Sequence, residues 1–148
     1  MTRTLIAAAA AAALAGSAQA QTGPDADRKA IEAVVRSAYV EGVHAKPSAE
    51  AMRKGFHPEF RMYVLRDGVV SVVTRDEWAA RIEKGAADRK DPLPEIRAEF
   101  TLVNVTGNTA VAQVQLYRAG KHVFTDDLSL YRTAEGWKIV AKVFQSHS

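Results

Sequence analysis

The strongest constraint on this chain is the stretch from Ile96 to Phe144, where a two-residue apolar period recurs between turn dipeptides. Ile96, Ala98, Phe100 and Leu102 alternate with Arg97, Glu99 and Thr101, and Gly107-Asn108 follows as a turn. Val111, Gln113, Gln115 and Tyr117 then point one way, with Ala112, Val114, Leu116 and Arg118 the other way, up to a second turn at Ala119-Gly120. His122, Phe124, Asp126, Leu128 and Leu130 share one parity of the third run, and Glu135-Gly136 turns the chain into Trp137–Phe144. Period two between turn signals predicts four consecutive antiparallel strands. The last run has large apolar groups on both parities: Trp137, Ile139 and Val143 on one, Val140 and Phe144 on the other. A sheet with one wet face alternates cleanly, so this pattern predicts cover on both faces. Helices are expected to cover one face, and a second copy of the chain the other. Val140 and Phe144 are then expected at the outer, homodimeric face and Ile139 in the core.

Upstream, Ile31, Val34, Val35, Ala38, Tyr39, Gly42 and Val43 recur at helical spacing and predict a long amphipathic helix, with Asp25 or Asp27 as its cap. His44 falls in its last turn, where the helix dipole favours a cation. Pro47 ends this helix, Ser48 caps a second one, and His57–Thr74 reverts to period two around an Asp67-Gly68 hairpin turn. Thr74-Arg75-Asp76-Glu77 is a capping box that opens a third helix containing Trp78 and Ile82, and Asp88–Pro94 is a polar loop.

Met1–Ala20 has a basic start at Arg3, a short apolar run and an Ala18-Gln19-Ala20 small-x-small ending, the pattern of a cleaved signal peptide. The run is shorter than the ~20 apolar residues of a spanning helix, so no membrane anchor is expected. The expected division is a signal peptide over 1–20, a short leader over 21–26 and one domain over 27–148, exported to the periplasm or beyond. Cysteine is absent, which excludes disulfides and thiolate metal sites. The net charge is +3, but basic residues are interleaved with acids, so there is no nucleic-acid footprint. No phosphate loop, dinucleotide fingerprint or nucleophile elbow is present, and no cofactor is expected. His44, His57, His122 and His147 lack the close spacing of zinc ligands, so no metal is expected either.

Helix, helix, hairpin, helix and a four-stranded meander is an α+β order. With the segments HPEFRMYVLRDGVVSVVTRDEW (57–78) and FTDDLSLYRTAEGWKIVAKVF (124–144), it resembles the lumazine-binding family of the nuclear-transport-factor-2-like superfamily, beside SnoaL-like cyclases and ketosteroid isomerase. The resemblance implies a curved, mostly antiparallel sheet with three helices on one face and a cone-shaped pocket between them. That pocket serves enzymes and non-catalytic binders alike, so function has to be read from its residues.

Two residues are candidates for chemistry. His57 stands before Pro58 at a helix-to-strand junction, and histidine is the residue type best suited to act as a general base near neutral pH; its structural alternative is to fix the turn. Asp126 sits mid-strand among Phe124, Leu128 and Leu130, where desolvation favours a perturbed carboxyl; its structural alternative is an ion pair with Lys142. Tyr39, Tyr63, Trp78 and Phe124 are candidates for lining a ligand pocket. The leading expectation is an exported binding or accessory protein for a small apolar or aromatic molecule. Alternatives are a cofactor-free isomerase or lyase using His57 and Asp126, and a dimerising interaction module without ligand.

Overall fold

The computed structural model describes residues 23–147; the signal peptide expected over residues 1–20 lies outside them. Helix α1 (Pro24–Val34) runs directly into a π-helical segment, Val35–Ala45. Then come α2 (Ala49–Gly55), β1 (Phe56–Arg66), β2 (Val69–Thr74), α3 (Arg75–Asp88), β3 (Ile96–Thr106), β4 (Thr109–Arg118), β5 (Lys121–Thr133) and β6 (Gly136–Ser146). The strands form one curved, unclosed sheet in the order β2-β1-β6-β5-β4-β3. Every pairing is antiparallel except β1 with β6. The expected α+β class and the meander β3 to β6 are as the sequence predicts. The β1–β2 hairpin extends the four-stranded meander by two strands through the parallel β1–β6 contact.

Local signals place the boundaries. The Ser48 hydroxyl accepts from the Ala51 amide at 3.2 Å and opens α2. At α3, the Thr74 hydroxyl accepts from the Glu77 amide while the Glu77 carboxylate accepts from the Thr74 amide, a complete capping box. Asp67 and Gly68 both adopt positive φ (50° and 78°), the conformation that a two-residue hairpin turn needs to match strand twist. The expected cap of α1 is corrected. The helix starts at Pro24, inside the expected leader, and neither Asp25 nor Asp27 caps it; Gly23 precedes it with no side-chain cap. Asp27 is instead buried and ion-paired with Arg132 on β5.

The core lies between the helices and the inner face of the sheet. Ile31, Val35, Ala38, Tyr39 and Met52 from the helical layer meet Phe56, Phe60, Val114, Leu116, Leu128, Leu130 and Ile139 from the strands. Gly55 makes the closest approach: a Cβ there would lie 2.2 Å from that of Ala38, so only glycine lets α2 sit against the π-helical segment.

Three bulges in β3–β6 redistribute the side chains relative to simple alternation. In β3 the pairing to β4 runs Phe100↔Val114 and then Leu102↔Gln113, so Thr101 is the extra residue and Leu102 turns outward, away from the face it was expected to share with Phe100. In β5 the pairing to β4 runs Leu116↔Phe124 and then Tyr117↔His122, so Val123 is the extra residue. His122 therefore joins Tyr117 on the outer face, its ring stacked on that of Tyr117 at 5.0 Å, rather than sharing the inner face with Phe124. In β6 the pairing to β5 runs Leu130↔Ile139 and then Ser129↔Ala141, which makes Val140 the extra residue. Beyond it the parity inverts, as a bulge requires. Val143 points out and is 49% exposed, whereas Phe144 turns in against Phe124 at 5.8 Å between ring centroids. The sequence expectation that placed Phe144 outside and Val143 inside is thereby reversed; Ile139 is inside as expected, and Val140 faces out beside Val111 and Tyr131.

Candidate functional site

The parity inversion in β6 has a chemical result: it turns Lys142 into the core. Lys142 lies diagonally across the β5–β6 ladder from Asp126, because Leu128 pairs with Lys142 and Asp126 with Phe144. Diagonal neighbours are within reach of a long side chain. The Lys142 ammonium donates to Asp126 Oδ1 and, at 2.8 Å, to the Tyr39 hydroxyl. The Tyr39 hydroxyl donates to Asp126 Oδ2 at 2.7 Å. The three groups are closed off from solvent, with exposures of 0% for Tyr39 and Asp126 and 4% for Lys142.

Aromatic faces surround the ammonium. Lys142 Nζ lies 4.4 Å from the ring centre of Phe144, 4.8 Å from Tyr39, 5.6 Å from Trp78 and 5.8 Å from Phe124. Ring quadrupoles attract a cation at such distances, more strongly once water is excluded. Burial holds the Lys142 pKa below the usual lysine range, opposed by the Asp126 charge and its hydrogen bond. Burial, and then the Asp126 charge and hydrogen bond, push the Tyr39 phenol well above its ordinary value, so the phenol keeps its proton.

The π-helical segment adds a fourth group. Residues five apart project roughly 140° apart on an α-helix. Hydrogen bonds closing at i→i+5 widen the turn and bring them to one side. His44 accordingly meets Tyr39 edge-on, with centroids 4.9 Å apart, and lies 6.1 Å from Phe124. It is not the helix-end cation that its position suggests. Burial, then the Lys142 and Arg118 charges, lower its pKa to about 3, so the ring is neutral, and its Nε2 is buried without a hydrogen-bond partner. Arg118 closes the set. It shares the inner face of β4 with Leu116, the residue opposite Phe124, and its Nε is also buried without a partner.

Of the residues singled out from sequence, the structure brings Tyr39, Trp78, Phe124 and Asp126 together. His57 and Tyr63 are elsewhere. The preceding Phe56 does reach the site, its ring 6.3 Å from Tyr39 and 5.6 Å from Trp78, but His57 bonds locally. His57 Nδ1 accepts from the Glu59 amide at 3.1 Å, which fixes the turn around Pro58. Tyr63 is 41% exposed on the outer face, in a shallow hollow of about 350 Å³ with Leu102, Val111, Gln113, Asp127 and Val143. His44 and Arg118 are site residues that the sequence did not reveal. Their signals are a π-helical register and the last inward position of β4, and neither is visible as a motif. Among the described residues, no cluster of three or more His, Cys, Asp or Glu side chains is placed to hold a metal.

The family described as "Putative lumazine-binding" matches residues 26–145, and the chain belongs to it. Solved structures with the same fold include an NTF2-like protein of unknown function from Shewanella baltica (23% identity, 86% of this chain and 98% of that one, TM-score 0.72). Another, from Silicibacter pomeroyi, is 23% identical over 85% of this chain and 100% of that one, with a TM-score of 0.67. A third, from Methylobacillus flagellatus, is 20% identical over 86% and 97%, with a TM-score of 0.66. A comparison with curated proteins gives no match. At these identities the structural likeness establishes the nuclear-transport-factor-2-like fold alone.

Proposed function

We propose that the protein is an exported binding or accessory protein that holds a small, largely aromatic molecule on the inner face of its sheet. One observation carries this reading: a buried Lys142–Asp126–Tyr39 network floored by core residues and walled by the half-buried rings of Trp78, Phe124 and Phe144. A buried ion pair is weak as a source of stability, because desolvation offsets most of its attraction. Fixed polar groups beneath apolar walls are the usual composition of a ligand site. The family description supports a small-molecule ligand and makes lumazine a rational first probe. Export rests on the Met1–Ala20 pattern, and a chain beginning at Gln21 in the exported fraction tests it.

The binding reading is tested by mass spectrometry of small molecules released from protein purified from its native host, with lumazine titrated against the tryptophan fluorescence of the emptied protein. A stoichiometric aromatic compound, or saturable quenching lost on Trp78→Leu, is the expected result. Protein that carries no small molecule, together with turnover of a carbonyl substrate that survives His57→Ala and is lost in Asp126→Asn, would replace binding by catalysis at Asp126.

A second reading concerns assembly. Tyr63, Leu65, Val70, Val72, Leu102, Val111 and Val143 leave the outer face of the sheet apolar and exposed. Contiguous apolar surface of this kind marks an interface, and a two-fold axis buries it against itself. A homodimer through the outer face follows.

A further inference from the structure

We infer that the inner-face site is built for an anion: a carboxylate-bearing aromatic molecule whose acid group is held by Arg118. The inference deepens the binding reading above and rests on it.

The charges around the site do not balance. Asp126 has two partners already, with Lys142 donating to one carboxylate oxygen and Tyr39 to the other. Lys142 and Asp126 therefore cancel. His44 is held neutral between the Lys142 and Arg118 charges. Arg118 remains as one positive charge. No described carboxylate forms an ion pair with it, and its Nε is a buried donor without an acceptor. Two arginines on the neighbouring strands differ: Arg97 lies over the Tyr117 ring at 3.9 Å and Arg132 pairs with Asp27. A half-buried guanidinium with an unmet donor is costly to leave alone.

The neighbouring imidazole also has an unmet polar atom. His44 Nε2 is buried without a partner and sits beside the Tyr39 ring and the Phe124 ring. A carboxylate between His44 and Arg118 supplies acceptors to both, and its presence favours a protonated, donating imidazole. The guanidinium fork matches a carboxylate in two parallel hydrogen bonds. The aromatic part of such a ligand meets Phe124 and Phe144, whose rings are half-buried rather than closed into the core. A cationic ligand is disfavoured here, because the Asp126 carboxylate is already doubly engaged.

The test compares 2-naphthoate with 2-naphthamide, which share a ring system and differ in charge, by calorimetric titration of the wild-type protein, Arg118→Gln and Arg97→Gln. The expected result is that wild type prefers the carboxylate by at least tenfold, that Arg118→Gln loses this preference, and that Arg97→Gln keeps it. Thermal unfolding shows whether Arg118→Gln is folded; should it not be, Arg118→Lys, which keeps the charge and loses the fork, is expected to retain a weakened preference. Equal affinity for the two probes in wild type overturns the anion inference and leaves the binding reading standing. So does a preference that survives Arg118→Gln. If neither probe binds wild type, the anion inference fails, and the binding reading is decided separately by the released small molecules and the lumazine titration.

Discussion

Lys142 illustrates why removing one charge differs from removing a pair. Its ammonium satisfies Asp126 and Tyr39 at once, in a place that water does not reach. Lys142→Met leaves the Asp126 carboxylate buried with only the Tyr39 hydroxyl. A loss of about 3–5 kcal/mol in urea unfolding is expected. Adding Asp126→Asn to that variant removes the stranded charge and keeps an acceptor for Tyr39, so the double variant is expected to recover at least ~1 kcal/mol. His44 gives a pH dependence of defined sign. Its pKa is 6.5 in the unfolded chain and about 3 in the fold. Between those values the unfolded chain takes up a proton that the folded one refuses. The His44 contribution is therefore complete above about pH 6.5 and is lost as the pH falls toward 3, with a slope of at most about 1.4 kcal/mol per unit. Carboxylates add their own acid dependence. The measurement is thus the difference between wild type and His44→Leu, whose stability curve is expected to be flatter over that window.

At the scale of elements, the Val140 bulge decides what the last strand presents. Phe144→Glu places a carboxylate against Phe124 and Lys142 inside the fold, and a loss of about 2 kcal/mol or more is expected in chemical denaturation. Val143→Glu, one residue earlier and 49% exposed, is expected to leave the stability of the monomeric chain, compared at high dilution, within about 0.5 kcal/mol. The opposite ranking would mean that β6 continues without a bulge. This strand also marks how far the sequence could be read. Alternation, turn dipeptides and capping boxes carry their signal within a few residues, so strand order in β3–β6, the caps at Ser48 and Thr74 and the Asp67-Gly68 turn were all legible. Asp126 and Lys142 were legible as a pair because polar residues in mid-strand are unusual. A bulge at Val123 or Val140 has no comparable signature, since a valine suits a strand whether or not it is paired. One extra residue sends His122 and Val143 outward and Phe144 inward. The π-helical register was hidden for the same reason: widening the turn changes which side chains coincide without changing which residues favour a helix. His44 and Arg118 were missed on that account.

For the whole molecule, the two faces of the sheet have different fates. The inner face is covered by α1, the π-helical segment, α2 and α3, whereas β1 and β2 lie in the sheet and shield nothing. The proposed dimer covers the other face. Sedimentation equilibrium of residues 21–148 at micromolar concentration is expected to give twice the chain mass, and Val143→Glu, which spares the fold, is expected to return it to a monomer. A monomeric wild type would remove the dimer while leaving the inner-face site as described.

The enclosure of Lys142 also makes it a clock. Amine-acylating reagents need a reachable nitrogen, and solvent-facing lysines such as Lys54 and Lys84 offer one. The Lys142 nitrogen is reachable only when the helical layer lifts from the sheet. In a timed labelling experiment read by peptide mass spectrometry, Lys142 is expected to be the last lysine modified. Its rate then counts excursions of the closed protein toward an open one, and whatever molecule the site holds is expected to slow that count.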